Sequence, residues 1–465
     1  MPLILGTNSI KDTGYNVANS LRFEQSSSDY MTRTFGTPTS SQTWTLSFWI
    51  KRSKLSSTQF FFNTDGGNEE DRLHFDSSDR LIWFEQDSAG STVADLTTNR
   101  VFRDVSAWLH IVIARDSTQA TSSNRIKIYV NGVQETSFAT STYPSLNDNS
   151  RWNTAVSHEI GARNAGTFVS AYLSEVVFID GQQLDPTSFG EFDEDSPTIW
   201  KPKDVSGLTF GNNGFHLDFE NASSLGADVS GNGNDFTVNN LTSADQTTDT
   251  CTNNFATLNS LLDVNATPTI TEGQLVFQGT GSTNFVGSTI PVSSGKWYVE
   301  VKATTVNGSY PIIGVIDSQS YKRRDSTYFV GSDIDTNNPS GFAVFSNGDI
   351  YHNADNNYSN LTTTYTSGDI IGMALNMDAS PNTLGFYKNG ALEVTINLDT
   401  PPSGAYIFAS GIHSSTSSAK GEFNFGNPTF SISSGNSDAE GFGNFEYAVP
   451  SGYFALCTKN LAEYG

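Results

Sequence analysis

Cysteine is nearly missing from this chain: Cys251 and Cys457 are the two among 465 residues. They lie far apart, which excludes a disulfide framework and a zinc site of paired C-x-x-C spacing and leaves two unpaired thiols. Positive charge is scarce as well. Against 49 Asp and Glu stand 25 Lys and Arg, a net charge of −24 and a pI near 4.4. Such a balance opposes condensation onto phosphate backbones and binding to anionic lipid, so no nucleic-acid partner is expected, while neutral glycans and other proteins stay open. No apolar run reaches transmembrane length, so no membrane insertion is expected. The opening MPLILGTNSIKDTG lacks the basic start and long apolar core of a secretion signal, and folding in a cytoplasm is expected. Helical periodicity is also absent: apolar residues nowhere recur at helical spacing over three turns, and the chain reads as almost entirely β.

What is present is a hairpin grammar. In 368–392 (GDIIGMALNMDASPNTLGFYKNGAL) an apolar run from Ile370 meets Asp, Ser, Pro and Asn turn chemistry at 378–382. A β-rich run then returns and closes on Asn389-Gly390. Asn-Gly tolerates the paired positive φ of a type I′ turn, so a third strand should follow at once. The same plan occurs at 108–133, where WLHIVIARD, a polar turn and RIKIYVNGV end again in Asn-Gly. Used twice at long interval, it fits two domains built on related sandwiches, in keeping with a soft scale of about 150 residues per domain. The expected division is an arm at 1–20 with an apolar Leu3-Ile4-Leu5, a sandwich at 21–241, a Thr/Asp/Asn-rich linker at 242–270, and a second sandwich with a C-terminal extension at 271–465.

Between residues 20 and 185 the phrases SLRF, WTLSFWI, WLHIVIAR, IKIYVNG and YLSEVVFID follow one another. In that order they resemble the laminin G-like, concanavalin A-like jelly-roll family. The resemblance implies two antiparallel sheets with a curved glycan- or protein-binding face. Residues 214–241 resemble the segment that usually precedes the first strand of such domains; here they follow the last, and are expected to add a strand at 215–219 and another beyond it to the first sandwich. From 271 to 430, GKWYVEV, IGV, GDIIGMALN, FYKNG and NFGNPTF resemble the SPRY family. Val299 stands where that family often has a second Trp and Asn376 where it often has Asp. The closing stretch 442–461 is similar to the ending found after SPRY-like domains in bacteriophage structural proteins.

Concanavalin A-like sandwiches include glycosidases, and Glu191, Asp193 and Asp195 have the i, i+2, i+4 spacing that shares one strand face. They sit among Pro186, Gly190 and Pro197 without apolar alternation, which reads as a solvated acidic loop. His110 alternates with Leu109 and Ile111 and reads as structural. Asp228, Asn232, Asn234 and Asp235, in a Gly-rich loop, supply the oxygens a Ca²⁺ ion would take, but Asx turns made by the same residues are the preferred reading. Tyr321 to Arg324 (YKRR) is a compact basic cluster. Tyr321, Arg323 and Arg324 with Tyr351, His352 and Tyr358 form the candidate ligand site, aromatic rings and Arg forks meeting a glycan or an acidic partner.

The resulting expectation is a non-enzymatic virion protein, a tail fibre or related appendage, homo-oligomeric, contacting other virion proteins and a host surface glycan or protein. The alternatives are a capsid-decorating or head-fibre subunit and a surface-polysaccharide hydrolase.

Overall fold

A computed structural model describes residues 14–64, 67–261, 268–281, 283–319, 329–331, 341–352, 355–414 and 417–465, with the backbone alone for 355–357. The protein is all-β, with 44% strand and 4% helix, and its sheets form antiparallel sandwiches. The chain divides into two compact units after Thr252.

In the N-terminal sandwich, sheet A runs in the order Val133–Gln134, Ile126–Val130, Leu109–Asp116, Thr43–Arg52, Ala171–Asp180, Ser20–Phe23, Gln246–Thr247. Sheet B runs Phe138–Thr142, Thr92–Val101, Arg80–Gln86, Glu70–Phe75, Gln59–Thr64, Ser157–Ile160, Tyr30–Thr34, Thr237–Asn239. Side chains alternate across a strand. Trp44, Leu46, Phe48 and Ile50 therefore point from sheet A into a core shared with Leu73, Phe75, Leu81 and Trp83 of sheet B. The expected additional strand is there: Phe215–Leu217 pairs with Ala171–Asp180, Val176 opposite Leu217. It takes up the flank of that strand beyond the stretch where Ser20–Phe23 pairs, Leu21 opposite Leu173. Thr237–Asn239 extends sheet B beside Tyr30–Thr34.

In the C-terminal sandwich, sheet C runs Thr269–Thr271, Val276–Thr280, Ser418–Asn424, Lys296–Thr305, Ile370–Asn376, Thr383–Lys388, Ala391–Asn397. Sheet D runs Asn284–Gly287, Tyr406–Ile412, Ile312–Asp317, Gly341–Val344, Asp349–His352, Asp355–Asn360. The hairpin read from sequence has Asn376 opposite Thr383, and Asn389 and Gly390 take φ of 47° and 81° before the third strand. Asn131 and Gly132 repeat this with φ of 49° and 79°.

Two boundaries differ from expectation. The stretch 242–270 is no free linker. Its first part belongs to the N-terminal sandwich: Ser20 pairs with Thr247, Asp249 forms a buried ion pair with Lys51 at 2.8 Å, and Thr252 bonds Val17. Its next part belongs to the C-terminal sandwich, where Ala256 and Leu258 are core residues and the Ala256 N–H donates to Leu456 O. Polar composition resembled a linker because these side chains serve as hydrogen-bond partners in place of apolar contacts. Likewise residues 15–20 of the expected arm are fixed: Val17 is buried and the Tyr15 hydroxyl donates to Glu175. Leu3-Ile4-Leu5 lies outside the described residues. Among the described residues, no helix is long and apolar enough to cross a membrane.

Candidate functional site

A sandwich has two outer faces, and the N-terminal one treats them differently. Ser47, Trp49 and Lys51 alternate with the core residues of Thr43–Arg52 and so point outward from sheet A. That face is sealed by the chain that follows. Trp49, Trp108, Tyr172 and Trp200 form one buried cluster, and Val112, Val177 and Ile179 form another with Phe189, Val205 and Phe210. His110 lies within the seal. It stacks on Trp49 and Trp200, accepts the Trp200 indole N–H at Nδ1 (3.0 Å) and meets Ser47 Oγ through Nε2 (2.8 Å). Burial pushes its pKa down to about 3, so the ring is neutral and its role structural, as the alternation around it predicts.

The outer face of sheet B is open over Glu70–Phe75, Arg80–Gln86 and Thr92–Val101. Arg72, Ile82, Phe84, Gln86 and Asp95 project there half-buried. The Arg72 guanidinium lies 4.1 Å from the Phe84 ring centroid and pairs with Glu70. Glu70 is also gripped by both arms of Arg163, at 2.9 and 2.8 Å. Burial, followed by the neighbouring Arg163, lowers the Arg72 pKa to about 10, which leaves it charged at neutral pH. His74 stacks on Phe60 beside it and is held neutral by burial, near 3. The chemistry is a shelf of planar groups, aromatic and guanidinium, whose charges are already paired: it suits stacking and hydrogen bonding more than ion capture. The sequence pattern EDRLHF followed by RLIWFEQ contains the signal, since Arg72, Ile82 and Phe84 fall out of phase with the core residues.

The sequence-derived sites fare unequally. The Asp228–Asp235 loop does not fit a cation. Asp228 Oδ1 accepts the N–H of His216 and of Ser230, both at 2.9 Å, and Oδ2 accepts Ser230 Oγ (2.9 Å) and the Asn234 N–H (2.8 Å). Asp235 accepts the Asp228 N–H. Asn232 and Asn234 turn their amide nitrogens toward the carbonyls of Gly211, Asn212 and Gly214, and Arg33 donates to Asn234 Oδ1 and Asp235 O. Oxygens that a metal needs are engaged by Asx turns, and the positive charge beside them is Arg33. No group of three or more His, Cys, Asp or Glu among the described residues could hold a metal ion.

In the acidic stretch 190–200, Asp193 and Asp195 lie in a loop as expected, and Glu191 stands on one of two short strands that flank it: Gly190–Phe192 pairs with Trp200–Pro202, and Phe192 packs edge-on against Trp200 at 4.9 Å. Asp193 takes Lys201 Nζ (3.1 Å) and the N–H groups of Asp195 and Ser196. The Lys201 bond comes first among the causes that hold this carboxyl below its ordinary value.

Of the ligand site proposed from sequence, Tyr321, Arg323 and Arg324 lie outside the described residues. Of the other three, His352 and Tyr358 come together and Tyr351 lies apart. Tyr351 and His352 are neighbours on one strand, so they point to opposite faces of sheet D. The Tyr351 ring packs on Phe345 (4.1 Å) with Phe329, whereas His352 stacks on Phe342 (3.9 Å) and contacts Asp399 (3.0 Å) and Gly341 O (3.1 Å). Tyr358 joins His352, 5.0 Å away, its hydroxyl donating to Asn397 O. Period-two alternation, overlooked for adjacent residues, separates them.

Residues 25–184 match the family model described as the concanavalin A-like lectin/glucanases superfamily. No curated protein matches the chain. Similar solved structures include the SPRY domain of human HERC1, at 19% identity over 32% of this chain and 87% of that one, with a TM-score of 0.24. A heptameric SAP-like pentraxin from Limulus polyphemus shows 14% identity over 37% and 80%, TM-score 0.27. Domain 4 of AbnA, an extracellular arabinanase from Geobacillus stearothermophilus solved with arabinotriose, shows 17% identity over 32% and 65%, TM-score 0.24.

Proposed function

We propose that this chain is a binding protein and, more finely, a non-enzymatic subunit of a bacteriophage virion, a tail fibre or related appendage. In this reading it is made in the host cytoplasm, assembles as a homo-oligomer with other virion proteins, and meets a host surface glycan or protein. The observation that carries the binding half is the open planar shelf of sheet B, Arg72 on Phe84 with Ile82 and Gln86, in a sandwich whose other outer face is sealed. The match of residues 25–184 to a lectin and glucanase superfamily supports the same half. The virion half rests on the resemblance of 442–461 to phage structural endings. A non-enzymatic role is supported by the engagement of Asp193, whose carboxylate is taken by Lys201 Nζ and by the N–H groups of Asp195 and Ser196.

The test is adsorption of particles to host cells, with the subunit located on intact particles by imaging. Arg72→Ala with Phe84→Ala should reduce adsorption at least about tenfold, the scale of one lost hot-spot contact, and leave assembly untouched. Arg323→Ala with Arg324→Ala tests the basic cluster in the same assay. Normal adsorption by both double variants with the subunit on the head would favour the capsid-decorating alternative. Release of reducing ends from host polysaccharide, lost in Glu191→Gln, would favour the hydrolase.

A further inference from the structure

We propose that Asp71, Glu85 and Asp148, gathered around the guanidinium of Arg115 inside the N-terminal sandwich, form a proton-dependent latch that fixes the segment 147–152. Asp71 and Glu85 stand directly opposite each other on neighbouring strands of sheet B. Each is in phase with apolar residues, Leu73 and Phe75 for Asp71, Leu81 and Trp83 for Glu85, and so points into the core. Arg115 comes from sheet A in phase with Ile111 and Ile113. Asp71 and Glu85 are 2% exposed and Arg115 0%. Arg115 grips Glu85 through Nε (2.9 Å) and one terminal nitrogen (3.2 Å), and the same nitrogen reaches Asp148 at 2.8 Å. Its other terminal nitrogen donates to Gln42 O and Asp148 O. Glu85 also accepts the Trp83 indole N–H at 3.0 Å.

Asp71 is placed differently. Its Oδ2 accepts Ser150 Oγ at 2.5 Å and the Trp152 N–H at 2.7 Å, both from the segment 147–152. Among the described residues no cation pairs with it. Two buried carboxylates, Asp71 and Glu85, thus face one guanidinium, with Asp148 at the rim, its side chain 27% exposed. Full ionisation would leave a net negative charge in the interior and a third carboxylate at its edge, and the least costly relief is a proton on Asp71, which among the described residues has no cation of its own. The groups that face Asp71 are Glu85 from the adjacent strand, Arg115 from the opposite sheet, and Ser150 and Trp152 from the segment; Asp148 acts on the same guanidinium. Burial first, then the charge of Glu85, push Asp71 up to about 7, and burial raises Asp148 as well.

A carboxyl raised in the closed form favours that form fully below its ordinary value. The advantage is lost as pH climbs from about 4 to about 7, by up to tenfold per unit, and is flat above. The segment is therefore held in acid and loosened toward neutrality, whatever ligand the protein binds.

Hydrogen exchange of the full chain tests this. The readout is the protection of the amides of Ser150 and Trp152 relative to that of Phe48 in the core of sheet A, corrected for intrinsic rates. Between pH 5 and pH 7 the ratio should fall at least about tenfold in the native protein. In Asp71→Asn it should stay constant, because the amide oxygen still accepts both donors and the charge is gone. A constant ratio in the native protein overturns the latch, and so does a fall that persists in Asp71→Asn. If that variant does not fold, the native ratio alone decides.

Discussion

Both sandwiches cover one outer face with chain that follows the main strands, and both close an Asn-Gly turn with a ring from the cover. In the N-terminal sandwich the Trp200 ring lies so near Gly132 that a Cβ there would sit 2.4 Å from it; in the C-terminal one Tyr447 lies equally close to Gly390, at 2.5 Å. Glycine is thus required twice at each turn, for positive φ and for the ring. The covers are anchored differently. Over sheet A a buried ion pair does it, Lys51 to Asp249 at 2.8 Å, with Trp108 Nε1 on the same carboxylate at 3.1 Å. Over sheet C a carboxylate that pairs with no cation among the described residues does it: Glu300 accepts the N–H groups of Glu446 (3.0 Å) and Tyr447 (2.9 Å) and the amide of Asn424 (3.2 Å). Around it Tyr298, Ala374, Phe445, Ala455 and Cys457 form a buried cluster. The comparison teaches that a sheet can acquire a second buried face if the polar groups of the cover find partners, whether a cover carboxylate takes side-chain donors from the sheet, as Asp249 does, or a sheet carboxylate takes backbone N–H groups from the cover, as Glu300 does.

The largest effect should come from removing the covers. A chain ending at residue 190 loses the strands Phe215–Leu217, Thr237–Asn239 and Gln246–Thr247, and one ending at 430 loses the cover of Tyr298. Each should aggregate; a soluble truncation that melts cooperatively would break the equivalence of the two covers. Next, Lys51→Met strands Asp249 in the interior and should cost about 3–5 kcal/mol in urea unfolding. Gly132→Ala and Gly390→Ala should each cost about 1–3 kcal/mol, from the positive φ and the displaced ring, and equal losses would confirm that the turns are built alike.

The smallest effect belongs to Glu300→Gln, about 1–2 kcal/mol, because the one amide oxygen still serves the donors of one carboxylate oxygen while the N–H on the other is left unpaired. It sharpens the contrast through pH. Burial raises the Glu300 pKa above its ordinary value, so the carboxyl's contribution is present at low pH and lost as pH rises through the raised value. The Gln variant should flatten that slope in melting temperature, whereas Lys51→Met should leave it.

Much of the fold was legible because its signals are local. The alternation in WTLSFWI and the Asn-Gly at 131–132 and 389–390 concern residues a few positions apart, and both strands and turns stand where they predict. The same alternation contained more than composition suggested. Asp71, Glu85 and Arg115 each fall in phase with apolar neighbours, a charged residue on a core face, and that pattern marks the latch. At 351–352 the alternation separates two residues that chain proximity had joined into one site.

The sequence by itself determined the all-β class, the hairpins, the paired Asn-Gly turns and the presence of two sandwiches, since period and turn chemistry are written within spans of ten residues. Only the tertiary structure decided that 242–252 is bound into the first sandwich, that sheet B keeps an open face, and that Arg33 and Asx turns engage the oxygens of the Asp228–Asp235 loop. Those outcomes depend on contacts between residues some 200 positions apart, Ser20 with Thr247 and Arg33 with Asn234. A polar residue reads the same in sequence whether water or a distant backbone satisfies its hydrogen bonds, and the packed chain alone makes that choice.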